Sequence, residues 1–283
     1  MTQSSQTDHR DPARWRLIGV DFTSSPSRRK PIMIARMRFG PKHLSLEAIE
    51  ALSDFDAFDA LVRRPGPWIA GFDMPFGLPR EFVLEQGWPT DWARCMTRYA
   101  QTDRARLREL FRAYCDARPP GQKFAHRRTD LTAGSSPSMK WVNPPVAWMM
   151  QAGVPRLRAA GLHLPGLLEG DPDRVGVEAY PGMLARAITR ASYKSDARAG
   201  ATAARHAARE LILSSVMSGQ HPEGSAVRID GELCHRILAD ARGDMLDALL
   251  CALQAAWAAR RAAAQFGCPE NHDPLEGWIA TAD

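Results

Sequence analysis

Arg16-Leu17-Ile18-Gly19-Val20-Asp21 is an apolar run that stops on a carboxylate. Bounded by the turn chemistry of Thr23-Ser24-Ser25-Pro26-Ser27, it reads as a buried strand. The placement of the acid is the informative part, because ionised carboxylates are almost never set in apolar surroundings without compensation. The same arrangement recurs in Trp68-Ile69-Ala70-Gly71-Phe72-Asp73 and in Arg174-Val175-Gly176-Val177-Glu178. A fourth instance is helical, Asp244-Met245-Leu246-Asp247-Ala248-Leu249-Leu250. Carboxylates converging from separate strands repel one another, and a divalent metal relieves that repulsion best. A metal site used for hydrolysis is therefore the leading expectation.

Working outward, Pro31 to Phe39 alternates well enough to be the returning strand of a hairpin, and a third short strand is expected over Leu44 to Ile49. Ser53 with Asp56 three residues later has the form of a helix-capping box. Phe55, Phe58, Leu61 and Val62 follow at helical spacing until Arg63-Arg64-Pro65-Gly66 stops them. Trp68 to Phe72, continuously apolar, suits a buried parallel strand. From Pro79 to Pro172 the pattern is helical and interrupted, with one or two helices over Asp91 to Ala117, a loop at Ala133 to Ser138 and a helix over Pro145 to Ala160. Strand character returns at Arg174 to Ala179, and Ala185 to Val216 is mostly helical with a break near Gly200.

The last helix is expected from Asp244 to Phe266, ended by Gly267. Between Met245 and Ala259 only Asp247 and Gln254 are polar, so this helix packs inside the protein and carries Asp247 with it. The whole order predicts a single α/β domain over residues 15–283, a mixed sheet interrupted by a helical insertion at about 80–172, behind a disordered lead-in of residues 1–14.

With 283 residues, 45% hydrophobic and 24% charged, the chain can bury a substantial core and has the balance of a soluble globular protein. No apolar run reaches the roughly 18 residues of a membrane span, and no apolar core of a secretory signal is visible near Met1. Five widely spaced cysteines without a Cys-x-x-Cys pair argue against a disulfide framework and a zinc ribbon, so a reducing cytoplasm is the expected setting. The net charge of +5 is uneven: Arg94 to Arg128 holds 10 Lys/Arg against 3 Asp/Glu, a local +7. Arg104, Arg108, Arg112, Arg127 and Arg128 are candidate contacts to a nucleic-acid backbone, with Tyr99, Phe111, Tyr114 and Phe124 interleaved. A solvated helix face is the plainer reading of the same charges.

Asp21 and Asp73 close two apolar strands at their carboxyl ends, where ligands bind in open α/β sheets. Asp244 and Asp247, three apart on a helix, share a face. Two divalent ions held roughly 3.5–4 Å apart by such groups would activate a water and stabilise the leaving oxygen of a phosphodiester. All-carboxylate ligation favours Mg2+ or Mn2+ over zinc. Glu178 is either a further ligand or a strand-end acid paired with an arginine.

The blocks Gly19-Val20-Asp21, Gly71-Phe72-Asp73-Met74-Pro75-Phe76-Gly77-Leu78-Pro79, Glu178-Ala179-Tyr180-Pro181-Gly182, Ser192-Tyr193-Lys194 and Asp244-Met245-Leu246-Asp247-Ala248-Leu249 resemble the domain-of-unknown-function family 429. That family is regarded as predicted nucleases of ribonuclease H-like fold, and the resemblance implies that fold and a carboxylate-held metal. More distantly the chain is similar to Holliday-junction resolvases, in Asp21 at the first strand, in Asp244 and Asp247 on the last helix, and in Glu178 to Pro181 with Lys194, which resemble the resolvases' Glu-Tyr-x-Pro block followed by a lysine. It differs in having Asp73 where resolvases carry a Glu, and in its long basic insertion. The resemblance implies a site role for Lys194; a solvated helix-end lysine is the alternative.

Two other functions compete. An actin-like nucleotide or phosphate hydrolase shares the fold, but such proteins use two copies and glycine-rich phosphate loops, and neither Gly-x-x-x-x-Gly-Lys nor Gly-x-Gly-x-x-Gly occurs here. A non-catalytic nucleic-acid-binding module has no reason to keep acids beside a basic groove. Oligomeric state is not legible.

Overall fold

The computed structural model describes residues 11–195, 197 and 200–282. Strands β1 (Arg16–Asp21), β2 (Ile32–Phe39) and β3 (Leu44–Leu52) form an antiparallel meander. After α1 (Phe55–Val62) the chain returns through β4 (Trp68–Phe72), parallel to β1. Helices α2 (Arg80–Glu85), α3 (Trp92–Gln101), α4 (Arg104–Asp116), α5 (Arg128–Ala133) and α6 (Val146–Ala159) follow. Edge strand β5 (Leu162–His163) then precedes β6 (Asp171–Glu178), which is parallel to β4. The order closes with α7 (Pro181–Ile188), α8 (Ala203–Ser218), β7 (Val227–Arg228), α9 (Gly231–Ala239) and α10 (Asp244–Ala259). The seven-stranded sheet runs β5-β6-β4-β1-β2-β3-β7. This is the expected α/β class, a ribonuclease H-like mixed sheet flanked by helices, with α2 to α6 inserted between β4 and β6. Among the described residues no helix is long and apolar enough to cross a membrane.

Period-two alternation sorts the strand residues between two apolar layers. Leu17, Ile69, Val175 and Val177 belong to the layer built with α8, α9 and α10. Ile18, Val20, Trp68, Ala70 and Phe72 belong to the layer shared with α1 and the insertion. On the first face α10 lies directly over β1 and β4, and two glycines permit that approach. Gly19 and Gly71 are register partners. A Cβ on Gly19 would sit 1.9 Å from the Ala248 carbonyl oxygen, and one on Gly71 would sit 2.4 Å from that of Cys251. Helix backbone therefore rests on sheet backbone, with no side chain between them.

Several boundaries differ from expectation. β3 runs past Ile49 to Leu52, and the α1 cap is Asp54, whose carboxylate accepts from the Ala57 N–H at 2.8 Å, in place of Ser53. The segment over Asp91 to Ala117, expected as one or two helices, is two, α3 and α4, each started by its own aspartate, Asp91 and Asp103. α10 stops at Ala259; the chain then makes a tight 3-10 turn, Ala262–Gly267, that sets the Phe266 ring edge-on against Trp15, 5.7 Å between centroids. At the other end Asp11 caps a 3-10 turn, Pro12–Arg14, and Arg14 pairs with Asp173, so order begins ahead of Trp15; the rest of the expected lead-in, residues 1–10, lies outside the described residues.

Candidate metal centre

Asp21 ends β1, and Asp73 follows β4 with its N–H donating to the Val20 carbonyl at 2.9 Å, one step beyond the last ladder pair. Both share strand parity with Gly19 and Gly71, so both fall on the α10 face. Asp247 comes down from the first turn of α10. Carboxylate oxygens of Asp21, Asp73 and Asp247 all lie within 4.8 Å of one another. Asp247 is buried and the other two are half-buried. The Tyr193 hydroxyl donates to Asp247 Oδ1 at 2.5 Å, and Lys194 Nζ pairs with Asp247 Oδ2. Buried Arg209 holds that segment, donating to the Tyr193 carbonyl at 2.8 Å and to the Leu238 carbonyl at 3.1 Å. Gly243, with φ 77°, lets it pass: a Cβ there would meet the Lys194 Cβ at 2.9 Å.

Burial pushes the Asp21 carboxyl well above the usual carboxylate range, and Asp247, Asp244 and Asp73 push the same way against the opposing charge of Lys194. Burial likewise lifts Asp73 to about 7, with Lys194 pulling it down and Asp247 and Glu178 pushing it up. Asp244 rises to about 6 through burial and the nearby charges of Asp240 and Asp247. Burial alone would lower the Lys194 ammonium, but Asp247, Tyr193 and Asp73 outweigh it and keep the group charged. Its side chain is 45% exposed, so the ammonium is reachable from solvent while anchored at one carboxylate.

Glu178 has a different role. It is the register partner of Phe72, so its side chain falls on the insertion face, away from α10. There it takes two bonds from Arg127, at 2.6 and 2.8 Å, and one from the Phe76 N–H at 2.9 Å. Arg127 also donates to Asp130 at 2.8 Å and to the Glu276 carbonyl at 3.0 Å. Arg127, expected on a nucleic-acid surface, is 1% exposed and serves as the counter-ion of two buried acids. Glu276 accepts from the backbone N–H of Arg80 at 2.7 Å and of Arg128 at 3.0 Å, tying the starts of α2 and α5 to the segment after α10. Ile279 continues that segment as a bridge parallel to Glu178.

Asp244, expected as a fourth ligand, stands one helical turn before Asp247 and is not among the three acids that converge. Arg104, Arg108 and Arg112 are exposed at four-residue spacing on α4, and the first two guanidiniums lie 5.5 and 5.9 Å from the Trp148 ring centre. Arg128 is exposed as well. Of the four interleaved aromatics, Tyr99, Phe111 and Tyr114 are at most 1% exposed and belong to the apolar layer shared with the sheet, because helices this polar must spend their rings inward, and half-buried Phe124 packs against Trp141, 5.5 Å between centroids. Arg209 has no strand-end or motif signature in the sequence, and Tyr193 was marked there only by its place in the block Ser192-Tyr193-Lys194.

A ribonuclease H-like sheet with a carboxylate cluster at its carboxyl edge defines the class. The chain belongs to the family described as "Protein of unknown function (DUF429)", which matches residues 19–272. No curated protein and no solved structure matches it.

Proposed function

We propose that this protein is a divalent-metal-dependent nuclease, hydrolysing phosphodiester bonds at Asp21, Asp73 and Asp247. The observation that carries the reading is the convergence of three carboxylates from β1, the end of β4 and α10 within 4.8 Å. Among the described residues Lys194 is the one cation paired with the cluster, which falls two charges short of three ionised acids. That deficit and the all-oxygen donor set fit Mg2+ or Mn2+ held by the three acids, with Asp244 contributing charge from one turn away. When bound, such an ion supplies an activated water and neutralises charge on the phosphate. Lys194, charged and half-exposed, binds a non-bridging phosphate oxygen and stabilises charge as it develops there. Tyr193 and Lys194 fix the orientation of the Asp247 carboxylate, one on each oxygen. Free cysteines at all five positions fit a reducing, cytoplasmic setting.

Two measurements test the reading. Purified protein with Mn2+ should cleave at least one of single-stranded DNA, branched DNA or RNA–DNA hybrid, while free nucleotides stay intact. Asp21→Asn should weaken Mn2+ binding in calorimetry by at least about ten-fold, the lower end of what perturbing a metal's ligand shell costs. Unchanged Mn2+ affinity in that variant would overturn the proposal.

A further inference from the structure

We propose that the cleft beside the acids takes the base and sugar of one unpaired nucleotide, the one adjoining the scissile phosphate; the inference rests on the nuclease reading. The cleft has a volume of about 420 Å3 and is lined by Asp73 and Lys194, so an occupant lies next to the carboxylates. Tyr180 and Pro181 at the start of α7, and Val146 and Met149 of α6, line it as well. An aromatic and aliphatic lining of this kind packs against the face of a base whatever its sequence. Arg127 and Glu178 also line it, but they are bonded to each other at 2.6 and 2.8 Å. This pair therefore offers no spare positive charge to a second phosphate and suits a neutral base. Arg186 joins α7 to the insertion beside the cleft: it donates to the Tyr180 hydroxyl at 3.0 Å and to the Ala133 carbonyl at 2.6 Å. Arg190, exposed and also lining the cleft, is available to a flanking phosphate. The volume is in the range that encloses a small molecule, and it has no room for a base pair with both its backbones. A paired base has to leave the stack to enter, whereas an unpaired one does not. Selection for unpaired residues follows.

The probe is thymidine 5′-monophosphate, titrated by calorimetry into the full chain. Wild-type protein should bind it, and Val146→Trp, which fills the cleft, should weaken binding by at least about ten-fold, the worth of one lost stacking contact. Met149→Trp fills the same space from the next turn of α6 and serves if the first variant does not fold, as judged by its thermal transition. No binding by wild type, or unchanged binding in a folded variant, overturns the cleft assignment. Cleavage separates the two ideas. Binding of the nucleotide without cleavage of any strand removes the nuclease reading and keeps the cleft. Duplex cut as fast as single strand keeps the nuclease and overturns selection for unpaired residues.

Discussion

Asp73 and Glu178 close neighbouring strands of one sheet, yet they serve opposite layers. The distinction is a matter of parity: Glu178 sits one step out of phase with Val175 and Val177, which face α10, so it meets Arg127 on the other side. That phase was legible in the alternation of the strand, while the identity of its partner, 51 positions away in sequence, was not. The acids on the α10 face carry a pH signature. Burial, together with Asp247 and Glu178 and against Lys194, raises Asp73 from an ordinary 3.8 to about 7. Between those values the folded, metal-free protein holds a proton that the unfolded chain has released, so its stability falls as pH rises through the window. Metal binding displaces that proton, so the added stability from Mn2+ should grow with pH. Thermal unfolding at pH 5.5 and 7.5, with EDTA and with saturating Mn2+, reads both trends. In Asp73→Asn both should flatten, and an equal Mn2+ increment at the two pH values in wild type would count against the assignment.

At the scale of the element, α10 decides where the third acid goes. Its apolar character around every side was visible in the sequence and is what buries it; its height above the sheet was not, because that depends on which strand residues lack a side chain beneath it. Gly19→Ala would put a methyl 1.9 Å from a helix carbonyl that cannot rotate away. Overpacking of this sort costs about 1–3 kcal/mol or more. Lifting the helix also moves Asp247 from Asp21, so urea midpoint and Mn2+ affinity should drop together. Gly231→Ala is the matched control, since its added Cβ meets nothing within 4 Å. A variant at Gly19 that loses stability but keeps full Mn2+ affinity would separate the helix's packing from the site. The short α2 and α5 escaped sequence reading for a related reason: at 6 residues each they show too few turns for a period, and both begin at a carboxylate supplied by Glu276 from far along the chain.

Across the whole molecule, the basic excess of the insertion divides into structural and exposed charge. Arg127 is consumed inside, and Arg106 pairs with Glu109 at 3.0 Å. Arg104, Arg108 and Arg112 remain as an exposed row on α4. If that row contacts a single strand, reversing all three to Glu should reduce the slope of log affinity against log salt by about 2, at roughly 0.7 per phosphate contact. Fluorescence anisotropy across a salt series measures it, and an unmoved slope would make the row a solvated face. One consequence of the α10 placement concerns time. β1, β4 and β6 are synthesised well before the helix that covers them, so until Asp244–Ala259 has left the ribosome, Leu17, Ile69 and Val175 present bare greasy sheet to the cell. The nascent chain has to be sheltered through that interval. Its carboxylate cluster is also incomplete during it, because the segment that ends the exposure is the one that delivers Asp247.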